Sequence, residues 1–207
     1  MHLSQKALLA TLVLGCGNVY SAATDRTPQH PVDELFLNRW SPHTLSGEEI
    51  SDAELMSLFE AARWAPSSYN AQPWHFIYAK RDTPAWNALF DLMVPFNQDW
   101  TKNADALMVM VSKNDYSHDN STNRTHSFDT GAAWQNLALQ ASLKGLVAHG
   151  MSGFDYERAR KDLNIPEGYT VEAMCAIGKL AQDAEKKETP STRKSVEEFA
   201  SEGTFKK

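Results

Sequence analysis

The chain has 207 residues, 42% of them hydrophobic and 10% aromatic, which is enough for one domain with a substantial core. Twenty Lys and Arg stand against 26 Asp and Glu, a net charge of −6 with no basic run, so the electrostatic footprint of a nucleic-acid or anionic-membrane binder is missing. Small-molecule chemistry is the better expectation.

In residues 1–23 the only charge is Lys6, and Ala7 to Gly15 is small or apolar apart from Thr11. Ser21-Ala22-Ala23 then supplies small residues for cleavage. This pattern predicts a secretory signal peptide, and its apolar run falls well short of the roughly 20 residues that span a bilayer. An N-terminal arm is the alternative reading, and Val13-Leu14-Gly15-Cys16 is loosely similar to a bacterial lipoprotein processing site. A cleaved leader would put a single domain, 24–207, in the periplasm or outside the cell; an uncleaved one would leave it in the cytoplasm. Cys16 and Cys175 are the only cysteines, so a chain without its leader has no intramolecular disulfide in either compartment.

Ser51-Asp52-Ala53-Glu54 has capping-box spacing, and Leu55, Leu58, Phe59 and Ala62 follow at helical intervals, which predicts a helix over 52–64. The next segment, APSSYNAQPWHF at 65–76, sets hydroxyls, amides and a Trp between Pro66 and Pro73. Prolines fix φ and remove donors, so this backbone can neither extend the helix nor join a ladder, and it reads as a binding loop or a self-capping connection. Residues 75–79 and 106–112 read as short buried strands with 84–92 helical between them. Polar residues 113–126 predict an exposed loop. It carries His118, Asp119 and His126 without ligand spacing, so no metal site is expected. Residues 127–143 form a helical pattern with Phe128, Trp134, Leu137, Ala138 and Ala141 on one stripe and small Gly131, Ala132 and Ala133 for close packing. Residues 147–151 and 171–180 are two further strands. The charged, Pro-interrupted tail after Ala181 is expected to reach across something. Helices alternating with short strands favour a sheet flanked by helices.

Two distant segments add more. Asn38-Arg39-Trp40-Ser41-Pro42-His43 and Pro66-Ser67-Ser68-Tyr69-Asn70-Ala71-Gln72-Pro73-Trp74 together resemble the FMN-dependent nitroreductase family, which has an Arg-x-Ser-x-Lys/Arg pattern followed by Pro-Ser-Ser-x-Asn-x-Gln-Pro-Trp. The resemblance continues through DTGAAWQNLALQASLKGL at 129–146, GMSGFD at 150–155 and PSTRKSVEEF at 190–199, and so covers about 32–200. It implies a nitroreductase-like α+β fold with a central, mainly antiparallel sheet flanked by helices, in an interlocked homodimer whose flavin sites take residues from both subunits. The tail would extend over the partner, anchored by Phe199 and Phe205. It also implies an NAD(P)H-dependent reductase of nitroaromatics, quinones or similar acceptors. Nicotinamide and acceptor would bind in turn at an open flavin face, and no protein group would act as catalyst.

The same resemblance assigns cofactor contacts. Arg39 and Arg193 match phosphate-binding arginines, whose forked guanidinium suits phosphate well. Ser41 matches a flavin-contacting Ser, with Trp40 packing beside it. Pro66, Ser67, Ser68 and Asn70 match the loop that approaches the flavin ring, with Gln72 a weaker match. Ser152 and Gly153 match backbone donors, and lack of a Cβ at Gly153 would let backbone approach a planar ring. Besides Trp40, which replaces a commonly polar position, two positions depart from the pattern. His43 stands where the family has Lys or Arg beside flavin N1 and O2, so positive charge there depends on protonation and flavin reduction or affinity is expected to fall as pH rises. Ser191 stands where relatives have a second cation. Phe96 and Trp100 either line an acceptor pocket or are core or interface aromatics.

These departures motivate a rival reading, a flavin-binding sensor or store without nicotinamide-driven turnover. A second rival, an α/β-hydrolase, is suggested by GMSGF at 150–154. It lacks the final Gly of a nucleophile elbow, and the last His, His149, precedes Ser152.

Overall fold

The computed structural model describes residues 26–205; the leader at 1–23 lies outside them. Its centre is a four-stranded sheet of β1 (Trp74–Lys80), β2 (Ala106–Lys113), β3 (Leu146–Met151) and β4 (Tyr169–Lys179) in the order β1-β2-β4-β3. Every neighbouring pair is antiparallel. β2 is buried along nearly its whole length because both faces are covered. Its residues alternate between two cores, as a period of two requires. Leu107, Val109 and Val111 face one side with Trp86 and Leu89 of α3 (Trp86–Phe90), Ala159 of α6 (Tyr156–Asp162), and Phe154. Ala106, Met108 and Met110 face the other, against Leu55 and Leu58 of α2 (Asp52–Arg63) and Leu137, Ala138 and Ala141 of α5 (His126–Leu143). Each such Val or Leu contributes about 1.5–3 kcal/mol on burial.

The capping box forms as the spacing predicts. Ser51 Oγ accepts from Glu54 N–H at 3.2 Å, and Glu54 Oε2 accepts from Ser51 N–H at 2.8 Å. The predicted stripe on α5 is partly wrong. Phe128 is 80% exposed, because nine positions from Leu137, at about 100° each, place it half a turn away from the buried face. Gly131 takes no part in close packing, since a Cβ there would meet open space; Ala133 and Thr130 fill the buried stripe instead. Close approach occurs at Gly150, where a Cβ would lie 3.2 Å from the Trp134 ring.

The polar 113–126 segment is more ordered than its composition suggests. Asp115 bridges Thr122, and Asn123 is fully buried, its Oδ1 accepting from Thr125 N–H at 3.1 Å and Thr125 Oγ1 at 2.9 Å. A bulge between Met110 and Val111 leaves Glu172 as the extra residue of β4. There it accepts from Ser127 Oγ at 2.7 Å and from Ser112 Oγ. Within one chain the tail runs back along residues 26–37: Val196 N–H donates to Gln29 Oε1 at 2.7 Å, and Gln29 Nε2 donates to Glu197 at 3.3 Å. Phe199 and Phe205 remain 71% and 89% exposed.

Candidate functional site

A short helix, α1 (Glu34–Asn38), starts at Asp33, whose Oδ1 accepts from Leu35 N–H at 2.9 Å, and ends at Arg39, whose backbone is extended. That exit turns the Arg39 guanidinium onto Ser41, with Nη1 donating to Oγ at 3.1 Å. Burial lowers the Arg39 pKa, and nearby Arg193 lowers it further. Arg26, which sequence reading missed, joins them. Its pKa too is lowered, by burial, by Arg193 and by Arg39. Among the described residues the arginines in ion pairs are Arg63, Arg81 and Arg158. Among the described residues, the Arg26, Arg39 and Arg193 cluster therefore has no carboxylate ion-paired with it. Three neighbouring cations repel one another, and an anion of high charge relieves that repulsion.

Next to this cluster, segment 42–45 runs to the end of β4, where Leu45 bridges Leu180. His149 on β3 donates from Nδ1 to the Pro42 carbonyl at 3.1 Å. Burial pushes the His149 pKa down, outweighing that bond, so the ring is neutral at pH 7 with its lone pair on Nε2. His43 lies against it, ring centroids 4.6 Å apart, with Trp100 of α4 (Pro95–Thr101) 4.9 Å away and Phe96 6.1 Å away. Both aromatics left open by the sequence thus pack on His43, Phe96 with 69% of its surface exposed.

The site's second unforeseen member is Glu188, just after α7 (Ala184–Lys187). It accepts from the backbone N–H groups of His43 at 3.0 Å and Thr44 at 2.7 Å, and from Thr44 Oγ1, while His43 Nδ1 lies 3.0 Å from Oε2. Burial alone would raise its pKa. The bonds from Thr44 and His43 prevail and hold it at about 2. His43 thus has a carboxylate partner that the sequence reading did not include. No signal in the sequence links these residues, which lie 145 positions apart in a polar tail and a loop.

Ser152 and Gly153 follow β3 directly. Neither of their backbone N–H groups is taken by another described backbone group. The missing Cβ of Gly153 has a reason within the chain: an added Cβ would lie 2.7 Å from Asn97 Nδ2, which donates to the Gly153 carbonyl at 2.9 Å. Ser152 is exposed and His149 faces Pro42, so no Ser–His pair forms here.

The Pro66–Asn70 loop lies elsewhere. It leads into β1, the edge opposite β3, and three strand spacings separate those edges, about 14 Å. Asp129 Oδ2 accepts from Ser68 N–H at 3.1 Å, Ser68 Oγ and Tyr116 Oη are 2.9 Å apart, and Ser67 Oγ accepts from Gln72 N–H at 3.0 Å. Both hydroxyls therefore have partners, Ser67 within the loop and Ser68 on Tyr116 outside it. Tyr69, Asn70 and Gln72 all have positive φ, at 50°, 55° and 47°. Three non-glycine residues in the left-handed region within four positions is stored strain of the kind that clusters at binding sites. Of the site residues named from the sequence, one chain brings together Arg39, Ser41, His43 and Arg193 near the end of β3, with Trp40 half-buried between Arg39 and Ser41 in sequence. It keeps Pro66, Ser67, Ser68 and Asn70 apart from them.

An antiparallel sheet covered on both faces, with helices on either side and a cluster of three arginines that forms no ion pair among the described residues, defines an α+β protein with a cationic site. The Nitroreductase family model matches residues 37–93 and 81–179, and the chain belongs to that family. An oxidoreductase containing FMN, known from its crystal structure, superposes with a TM-score of 0.82 at 41% identity, covering 87% of this chain and 96% of that one. A Desulfovibrio desulfuricans protein crystallised in complex with FMN superposes with a TM-score of 0.68 at 25% identity, covering 86% of this chain and all of that one. The oxygen-insensitive NADPH nitroreductase of Helicobacter pylori is 43% identical over 65 residues, 31% of this chain but only 30% of that relative's length. A Rhodopseudomonas palustris protein named for NADH dehydrogenase/NAD(P)H nitroreductase is 26% identical over 179 residues, 77% of this chain and 89% of that one.

Proposed function

We propose that the chain is an FMN-dependent oxidoreductase that uses NADH or NADPH to reduce nitroaromatics, quinones or similar acceptors, and that it works as a homodimer. The observation that carries this reading is the Arg26, Arg39 and Arg193 cluster: three cations with no ion-paired carboxylate among the described residues fit a phosphate dianion, and they sit in a nitroreductase fold. FMN bound there supplies the hydride chemistry, which needs no protein nucleophile. The chain's part is to bind and orient. Arg39 and Arg193 hold the phosphate, with Ser41 fixed by Arg39. The free N–H groups of Ser152 and Gly153 are the donors for the flavin ring, and His43 stands where the family carries a cation. Trp100 and Phe96 wall the side on which nicotinamide and acceptor bind in turn.

The wide separation of the two sheet edges supports the dimer. A flavin held at Arg39 takes its Pro66, Ser67, Ser68 and Asn70 contacts from the loop of a second copy, and the exposed Phe199 and Phe205 anchor the tail on that copy. If the leader at 1–23 is cleaved, the enzyme acts in the periplasm or outside the cell, and otherwise in the cytoplasm. N-terminal sequencing of fractionated protein decides between these.

The test is an absorbance spectrum before and after anaerobic NADH or NADPH. Flavin bands near about 450 nm that bleach with nicotinamide are expected; absence of any flavin binding after FMN addition overturns the reading. A flavin-binding sensor or store is the second reading, favoured by the Glu188 carboxylate beside His43, and bands that persist under both nicotinamides would select it.

A further inference from the structure

Arg26 does more in the structure than add charge. Its Nη1 donates to the carbonyls of Leu37 at 2.7 Å and Arg39 at 3.0 Å, two acceptors at the end of α1, where the helix leaves carbonyls unpaired. Its Nη2 reaches the Ser191 carbonyl at 3.3 Å, 165 residues away and two positions before Arg193. One planar guanidinium thus ties together the two backbone segments that carry the other members of the cluster. Arg193 has no comparable anchor: its guanidinium folds back onto the carbonyls of Ser191 and Thr192 at 3.1 and 2.9 Å. The Arg26 Nε is buried and has no hydrogen-bond partner among the described residues.

This is a poor arrangement for a brace that serves packing alone. A third guanidinium beside two others adds repulsion, and burying it adds a desolvation cost, as the lowered pKa values of Arg26 and Arg39 register. Both costs are offset when a dianion sits among the three. The planar fork of Arg26 reaches the two segments from two separate nitrogens, whereas a Lys ammonium carries its three donors on one atom.

Resting on the FMN reading above, we propose that Arg26 is a positioning residue for the flavin phosphate. It clamps the Leu37–Arg39 and Ser191–Arg193 segments at the spacing that lets Arg39 and Arg193 grip one phosphate, and so gives the site its preference for FMN over unphosphorylated riboflavin.

The test titrates FMN and riboflavin separately into the full chain by flavin fluorescence, for the wild type and for Arg26→Ala, Arg26→Gln and Arg26→Lys, with thermal melting of each as a check on folding. The expected result is a wild type that prefers FMN. Arg26→Ala and Arg26→Gln should lower that preference about tenfold while riboflavin affinity stays within about twofold, the scale of lost charge-assisted hydrogen bonds. Arg26→Lys should restore little, because it returns the charge without the fork. Full rescue by Lys would overturn positioning in favour of simple charge. An unchanged FMN-to-riboflavin ratio with a lowered melting temperature would reduce Arg26 to a structural brace and overturn the proposal. A wild type that binds neither flavin, or both equally, would bring down the phosphate-site reading itself, which separates that failure from failure at Arg26.

Discussion

Glu188→Gln is the substitution whose consequence the structure defines best. Glu188 takes donors from the His43 and Thr44 backbones and from the Thr44 hydroxyl, and lies against the His43 ring, joining the tail to the segment beside β3. Its pKa falls from 4.5 to about 2. At 1.36 kcal/mol per unit that is about 3 kcal/mol, an upper figure. The side chain is 24% exposed, so water screens the carboxylate, and about 1–2 kcal/mol is the expected contribution. Because the pKa is depressed in the fold, the contribution is fully present above pH 4.5 and is lost as pH falls towards about 2. Glu188→Gln should therefore lower stability by about 1–2 kcal/mol between pH 5.5 and 7, or about 2–8 °C in Tm for a domain of this size. The gap to wild type should narrow as pH drops below 4.5. Urea denaturation of both proteins in the same flavin state, at neutral pH and again below pH 4, measures it. Equal stability at neutral pH, or a gap that does not narrow in acid, would refute the assignment of Glu188 as an ionised anchor.

Other substitutions test other parts of the site. Arg39→Ala should weaken FMN binding about ten- to a hundredfold by titration, since it removes both a phosphate donor and the bond that fixes Ser41. Asp129→Ala frees the Ser68 N–H and should cost about 1–3 kcal/mol in chemical denaturation, with increased proteolytic nicking of the 66–72 loop. Gly153→Ala drives a methyl into Asn97 and should destabilise by about 1–3 kcal/mol; pairing it with Asn97→Ala should recover part of that loss, a non-additivity that a double-mutant cycle reads directly. Leu58→Ala, at a fully buried position against α5 and β2, should cost about 2–5 kcal/mol in urea without changing the FMN-to-riboflavin ratio.

The sequence by itself determined what depends on near neighbours along the chain. The Ser51–Glu54 capping box and the Leu55, Leu58 and Ala62 spacing made α2 legible, because a helix brings residues three and four apart onto one face. The apolar runs of β2 and β4 announced buried strands. The prolines flanking 67–72 marked a segment barred from regular structure, and only the backbone itself shows that its Tyr69, Asn70 and Gln72 are left-handed. Phe128 marks the limit even of local pattern: hydrophobicity suggested the buried stripe, but its angle around α5 put it in solvent. Asn123 shows the converse, a polar residue buried where the turn around it donates twice to its Oδ1 while its Nδ2 is left without a partner among the described residues. The motifs pointed to Arg39, His43 and Arg193, yet what surrounds them was decided by the tertiary structure alone. Arg26 meets Ser191 across 165 residues, Glu188 meets His43 across 145, and the Pro66–Asn70 loop ends up at the far edge of the sheet from all of them. Such meetings have no period and no fixed spacing, because strand order and the path of the tail, not local geometry, bring the partners together.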